Sequence, residues 1–365
     1  MSVASILEGK EICICAGAGG VGKTTTSAAI AVGMARRGLK VAVLTIDPAR
    51  RLANSLGLPE LGNEERRIEL DSPGELWAMM LDAKSTFDEI VEKHAPDAAT
   101  RDAVLSNRIY KELSTAVAGS QEYMAMEKLH ELHAEGRYDL LVLDTPPSRN
   151  ALDFLDAPDR LARFIDSRAL HFFLAPSRTG LKIFSRGTGL LFSILKRVTG
   201  VDLLQDLSDF FASFGDMAQG FRERAQAVKR LLADERTTFL LVTSPAHEAV
   251  EEAKFFRDKI EEAGMPFGGV IVNRMHVEEP DGPEDLTSLD PDLAEKVARN
   301  FDDFHALAQR DRHNVDELTA DIGDRPLIIV PYLDEDIHDL EGIGAINDHL
   351  FAGSGATAVP AEGAG

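Results

Sequence analysis

The residues with the plainest chemical purpose are Gly17-Ala18-Gly19-Gly20-Val21-Gly22-Lys23-Thr24, which satisfy the pattern G-x-x-x-x-G-K-[ST]. Glycines at this spacing let successive backbone amides turn toward phosphate oxygens, and a helix starting at Thr24 adds the partial positive charge of its N-terminus. In such a loop Lys23 neutralises the β- and γ-phosphates of a nucleotide, the Thr24 hydroxyl ligates magnesium and Thr25 reaches the α-phosphate region. Asp144 closes the apolar run at 140–143, which is how a carboxylate is presented at a sheet edge to hold magnesium through water. Asp47 follows the run at 41–46 in the string Asp47-Pro48-Ala49-Arg50. It could orient an attacking water, because phosphoryl transfer depends on positioning and charge stabilisation more than on covalent chemistry. Its plainer reading is a turn-capping aspartate before proline. Asn273 and Pro331 end two late apolar runs, at the edge where a base would sit, and an asparagine amide can both donate to and accept from adenine. The ligands expected are ATP and Mg2+.

These groups need strands that end together. Apolar runs of strand length, bounded by Gly, Pro or Asp, occur at 11–16, 41–46, 76–81, 139–143, 238–243, 269–272 and 327–330. Each is short and mostly unalternated, as strands buried on both faces of a parallel sheet are. Helical stretches lie between most of them, including 24–37 closed by Gly38 and 246–263 closed by Gly264. The alternation predicts an α/β fold: a doubly wound, mostly parallel sheet of the P-loop NTPase kind with helical insertions. The expected organisation is one ATPase domain over 1–351, with helix-rich insertions at about 82–136 and 167–234, and a disordered tail of small residues over 352–365.

Composition narrows the partners. A formal charge of −22, from 61 acidic against 39 basic residues, disfavours nucleic acid and acidic membrane surfaces. The two cysteines, Cys13 and Cys15, fall at i, i+2 in a strand, cannot form a sound disulfide with each other and suit a reducing cytoplasm. The opening residues show no charged leader with an apolar stretch, and no run reaches about 18 apolar residues, so neither export nor a membrane span is expected. His130 and His133 fall at i, i+3 without an evident third ligand, which makes a metal site there unexpected. The acidic stretch 281–324 reads as solvated helix faces, and Met79, Met80, Met124 and Met126 as core.

The loop AGGVGKTTT, the switch strings TIDPARRL and LDTPPSRNALDFL, the strand IVNRM and the closing IIVPYLDEDIHDLEGI together resemble the arsenical-pump and tail-anchored-protein-targeting ATPases. These form a branch of the deviant Walker A class that also holds MinD, ParA and the nitrogenase iron protein. QEYMAMEKL and DTPPSRNALDFLDAPDRL resemble an actinobacterial subgroup of anion-transporting ATPases. The resemblance implies an ATPase that cycles between ATP-closed and ADP-open dimers, with Lys23 and Thr24 at phosphate and magnesium, Asp47 at the hydrolytic water, Asp144 at magnesium and Asn273 at adenine.

Several departures shape what the resemblance implies. The class places a lysine second in its loop, reaching across the dimer to the partner's phosphates, and Ala18 stands there. The expected dimer is therefore one with a paralogue that carries the loop lysine, or a homodimer in which Arg50 or Arg149 substitutes. Arsenite and antimonite binding needs soft thiolates, and Cys13 and Cys15 lie in the first strand. The C-x-x-C pair that closes a zinc-bridged dimer in the eukaryotic targeting branch is absent, and an iron–sulfur cluster is excluded for the same reason. In the segment 167–234, Phe210, Phe211, Phe214 and Met217 share a helix face. The face either packs on its neighbours or forms a groove for a hydrophobic helix client or membrane-protein partner. An anion or metalloid exporter subunit and an ATP-sensing regulator with little turnover are the competing functions.

Overall fold

Eight short runs pair through their backbones, and the central ones, buried on both faces, have no other partners for their amide and carbonyl groups. The computed structural model describes residues 1–46, 50–108, 110–111, 120–145, 156–157, 159, 219–278, 286, 289–333, 337 and 339–352. Asp47, Arg149, the residues Phe210, Phe211, Phe214 and Met217, and the tail from 353 fall outside them. The strands are β1 (Ile12–Ala16), β2 (Lys40–Thr45), β3 (Arg66–Ile68), β4 (Glu75–Met80), β5 (Leu140–Asp144), β6 (Thr237–Thr243), β7 (Phe267–Met275) and β8 (Leu327–Pro331). The helices are α1 (Val3–Ile6), α2 (Lys23–Ala35), α3 (Arg51–Ser55), α4 (Ala83–His94), α5 (Ala98–Ser106), α6 (Ser120–Glu135), α7 over 219–232, α8 (His247–Glu262), α9 (Pro291–Ile322) and α10 (Leu340–Phe351).

The sheet runs β3-β4-β2-β5-β1-β6-β7-β8. Every pairing is parallel except β3 with β4. The predicted α/β architecture with a mostly parallel sheet is thus present. Each residue of β1, β5 and β6 is buried, which explains why these runs carry no polar alternation. The chain passes from β1 to β2 across the later β5, then places β6 on the other side of β1. The crossovers diverge at β1, and such a switch point opens a crevice at the carboxyl ends of the strands. β3 has no counterpart among the predicted strands; its three residues Arg66, Arg67 and Ile68 include a single buried one.

The chain divides into two compact units: Met1–Met80 with Leu132–Leu152 and Leu232–Gly365, and Leu81–Glu131 with Asp153–Leu231. The first contains the sheet. Its helix α2 is buried on nearly all sides, which its run of Ala, Gly and Val permits. A Cβ on Gly33 would stand 2.0 Å from the Phe351 ring, so the glycine lets α10 lie directly on α2, where Arg37 also stacks 3.9 Å over that ring. His133 hydrogen-bonds Glu11 at 2.7 Å. Of the methionines in this unit, Met79 is buried and Met80 half-buried.

The second unit is helical where described. Asp82 and Asp97 cap α4 and α5 by accepting from the amides of Ser85 and Thr100, each at 2.7 Å. Phe87 stacks on Phe221 and tilts against Tyr110. Met124 and Met126 are fully buried on α6. Beside them Glu127, 2% exposed, pairs with Arg224 of α7 and accepts from the Tyr123 hydroxyl at 3.0 Å. Among the described residues no helix is long and apolar enough to cross a membrane.

Removing one partner of a buried ion pair leaves an uncompensated charge, at a cost of about 3–5 kcal/mol. Arg224→Ala should therefore destabilise the second unit by about that amount in denaturant unfolding, whereas Arg224→Met combined with Glu127→Leu should recover most of it. Equal destabilisation of the single and double variants would show that packing, not charge, sets the cost.

Candidate functional site

The glycine loop leaves the end of β1 and enters α2 as the motif predicts. Gly17, Gly20 and Gly22 have φ of 148°, 80° and 91°, a region that side chains disfavour. Two of them are also sterically obligatory. A Cβ on Gly17 would lie 2.0 Å from the Val242 carbonyl of β6, and one on Gly22 would lie 2.2 Å from the Asn273 amide. The loop is held between two strand ends, and α2 begins at once, so its first N–H groups point out of the loop.

Lys23 is 5% exposed and folds back over the loop, its Nζ donating to the carbonyls of Ala18 (2.6 Å) and Gly17 (2.9 Å). Thr24 donates from Oγ1 to Asp144 Oδ2 at 2.7 Å, and Thr45 donates to the same oxygen at 2.8 Å. Asp144 is fully buried at the end of β5, in register with Thr45 on one side and Cys15 on the other. Thr145 then ties back to β1 through its hydroxyl, which donates to the Cys15 carbonyl at 2.9 Å. A hydroxyl and a carboxylate side by side form an oxygen-only donor set. That set fits a hard divalent cation such as Mg2+, which is commonly held by one or two carboxylates plus phosphate and water.

Above this floor lies a cleft of about 310 Å³. Gly20, Gly22, Lys23, Thr24 and Thr25 form one wall, Arg51, Asn54 and Ser55 of α3 another, with Thr145, Arg274 and Ile337 completing the rim. Arg51, Asn54 and Ser55 stand at i, i+3 and i+4, one helix face, while Leu52 and Ala53 are buried on the other. Arg50, expected as a substitute for the loop lysine in a homodimer, caps α3 in a left-handed conformation and pairs loosely with Glu60 at 3.9 Å, and its neighbour Arg51 lines the cleft. The polar spacing in R-L-A-N-S was the available signal. Thr45, a hydroxyl at the end of an apolar strand, was another.

Ala18 is 8% exposed, its methyl belonging to the apolar core. Asn273 is buried behind the loop. Its Nδ2 donates to the Val21 carbonyl at 2.9 Å, and its Oδ1 accepts from the Arg274 amide at 3.0 Å. A register irregularity of β7 between Val272 and Met275 turns it that way. Pro331 ends β8 in register with Met275. Asp47, the expected water-orienting carboxylate, lies outside the described residues. Cys13 and Cys15 are free thiols, 0% exposed in the middle of the sheet. Their mutual hydrogen bond and then burial push the Cys13 thiol well above its ordinary pKa.

The chain is similar to known proteins along nearly its whole length. The model of the family described as anion-transporting ATPase matches residues 10–351. An ATPase GET3 of Malassezia globosa is 23% identical over 350 residues, covering 95% of this chain and 93% of that protein. A putative arsenical pump-driving ATPase of Aquifex aeolicus is 24% identical, over 93% of this chain and 78% of that protein. An uncharacterised protein of Streptomyces coelicolor is 27% identical, over 83% and 73% respectively.

Asn273 props the loop from behind, and a buried carbonyl deprived of its donor costs about 1–3 kcal/mol. Asn273→Ala should therefore speed hydrogen exchange of the loop amides about tenfold without lowering global stability in proportion. Unchanged exchange at residues 17–23 would assign the asparagine to some other task.

Proposed function

The chain belongs to the anion-transporting ATPase family and is an ATPase, and from that premise we propose that it couples Mg-ATP binding and hydrolysis in this cleft to opening and closing of a dimer. The observation that carries the reading is the Thr24–Asp144 hydrogen bond at the floor of the glycine loop. It joins the start of the phosphate-facing helix to a strand end and leaves hydroxyl and carboxylate oxygens together where the phosphates would lie. Thr24 and Asp144 would hold Mg2+, which when bound offsets charge on the phosphates. The loop amides and Lys23 would bind the phosphates, with Lys23 exchanging its two carbonyl partners for phosphate oxygens. Arg51 adds a cation on the opposite wall. Asp47 would orient the attacking water, and Asn273 with Pro331 would border the base.

The expected substitutions separate binding from turnover. Lys23→Ala should abolish tight binding of an ATP analogue, and Asp47→Asn should bind it nearly as wild type while losing most turnover. Wild-type hydrolysis by Asp47→Asn would remove that residue from the water's path.

The finer output is read from the sequence. Phe210, Phe211, Phe214 and Met217 on one helix face suit a hydrophobic client that is bound and released as the dimer switches. Cytoplasmic residence accords with the reduced, buried thiols. An arsenical-pump role is less well supported, since metalloid capture needs accessible thiolates, whereas both thiols are fully buried and Cys13 is held above its ordinary pKa. Ala18 offers no charge to a partner, so the proposed dimer is one with a paralogue whose loop lysine reaches this chain's nucleotide. Such trans donors can change turnover by orders of magnitude. Turnover of the isolated chain should therefore be slow and rise at least tenfold with a lysine-bearing paralogue, but not with its alanine variant. Full activity of the chain alone would exclude the paralogue and leave a homodimer assisted by its own arginines.

A further inference from the structure

The segment after the base-side asparagine is held in an unfavourable conformation by two anchors. Arg274 has φ of 60°, the left-handed region in which a long side chain is disfavoured. Its guanidinium nonetheless lines the cleft and donates to the Gly20 carbonyl at 3.3 Å. On the near side the anchor is Asn273, bonded to the loop at Val21. On the far side it is His276, whose hydrogen bonds run to one residue of α9.

That residue is Asp311, fully buried although it is a carboxylate. Its Oδ2 accepts from the His276 backbone amide at 3.2 Å and from the His276 ring at Nδ1 at 2.7 Å. Its Oδ1 accepts from Arg310 Nη2 at 2.7 Å, so both oxygens are used and the charge is balanced. The ring is further fixed by stacking on Tyr332 at 5.3 Å and by the edge of Phe304 at 5.5 Å. The Tyr332 amide in turn donates to the Met275 carbonyl at 2.9 Å. Buried carboxylates are rarely retained where an apolar residue would serve. Here the carboxylate is the group that can take two donors from one residue of the turn.

We propose that Asp311 is a positioning residue for the nucleotide cleft, pinning His276 so that Arg274 stays left-handed with its guanidinium against the glycine loop. The proposal rests on the reading of this cleft as the ATP site. It makes α9, whose residues 291–307 include none that is buried, an element whose C-terminal half sets the shape of the site through one side chain. Without Asp311 the turn can relax toward an ordinary backbone conformation, and Arg274 then leaves the cleft.

The test is a double-mutant cycle read by the Kd of a non-hydrolysed ATP analogue with Mg2+, on the full chain. Asp311→Asn presents an amide where a carboxylate oxygen accepted, and should weaken binding about tenfold. Arg274→Gly takes up the left-handed turn without strain and carries no guanidinium. In that background Asp311→Asn should change Kd by less than about twofold, because the group it positions is gone. A merely structural role would weaken binding equally in both backgrounds and would overturn the proposal, as would wild-type affinity of Asp311→Asn itself. If Asp311→Asn does not fold, His276→Phe keeps the stack on Tyr332 and removes the ring donor. It should weaken binding in the wild-type background and be silent beside Arg274→Gly, and the opposite pattern would count against Asp311. Lys23→Ala is the control for the underlying reading: wild-type affinity there would displace the site itself, whatever the cycle shows.

Discussion

One carboxylate oxygen, Asp144 Oδ2, joins the parts of the molecule that must end together. It accepts a hydrogen bond from the first turn of α2, through Thr24, and another from the end of β2, through Thr45, while its own residue ends β5. The parallel sheet explains why this is possible. Parallel strands finish on the same edge, so side chains at the ends of neighbours in register, Cys15, Thr45 and Asp144, lie in one row. A fully buried carboxylate is costly unless well supplied with donors. The two threonines supply them while the strands bring the charge to the floor of the cleft. The glycines follow from the same constraint. Because the row of strand ends is close, the loop must pass within contact of β6 and of Asn273, where a side chain would collide.

The electrostatics of the cleft run against those of the chain. With a net charge of −22, the protein as a whole repels a polyphosphate. Arginines elsewhere in the sheet unit, such as Arg67, Arg137, Arg236 and Arg325, sit within 4 Å of carboxylates. The cleft collects Lys23, Arg51 and Arg274, together with the N-terminus of α2. At physiological ionic strength surface charge is screened within about 8 Å, so an anion that enters the cleft senses these nearby groups more than the distant acidic faces.

Much of this was legible in the sequence because it is local. The loop motif, the unalternated runs and Asp144 at the end of one of them depend only on neighbours along the chain. Strand limits read from apolar content fell within a residue or two, except in β7, where polar Asn273 and Arg274 continue the strand beyond the apolar run. What could not be read is where a side chain turns once its backbone leaves the regular geometry. Arg50 and Arg274 are the described non-glycine residues with positive φ. At both, the side chain's place depends on a turn that no local pattern announces: beside Arg50, Arg51 lines the cleft, and Arg274 lines it while Asn273 bonds to the loop. β3 was invisible because three residues with one buried carry no period, and its existence depends on the edge that β4 presents.

The contact between α2 and α10 has a temporal meaning. The phosphate-facing helix is synthesised well before the surface that covers its flank, α10, with Phe351 and Asn347 closing on Gly33. Roughly 300 residues separate them, on the order of fifteen seconds to a minute of elongation. Throughout that interval the apolar flank of α2 lacks this covering, and for most of it the eighth strand is also still to come. A nascent chain thus exposes the back of its loop helix until α10 has been made, and the site matures from behind, its closing contact supplied from far downstream.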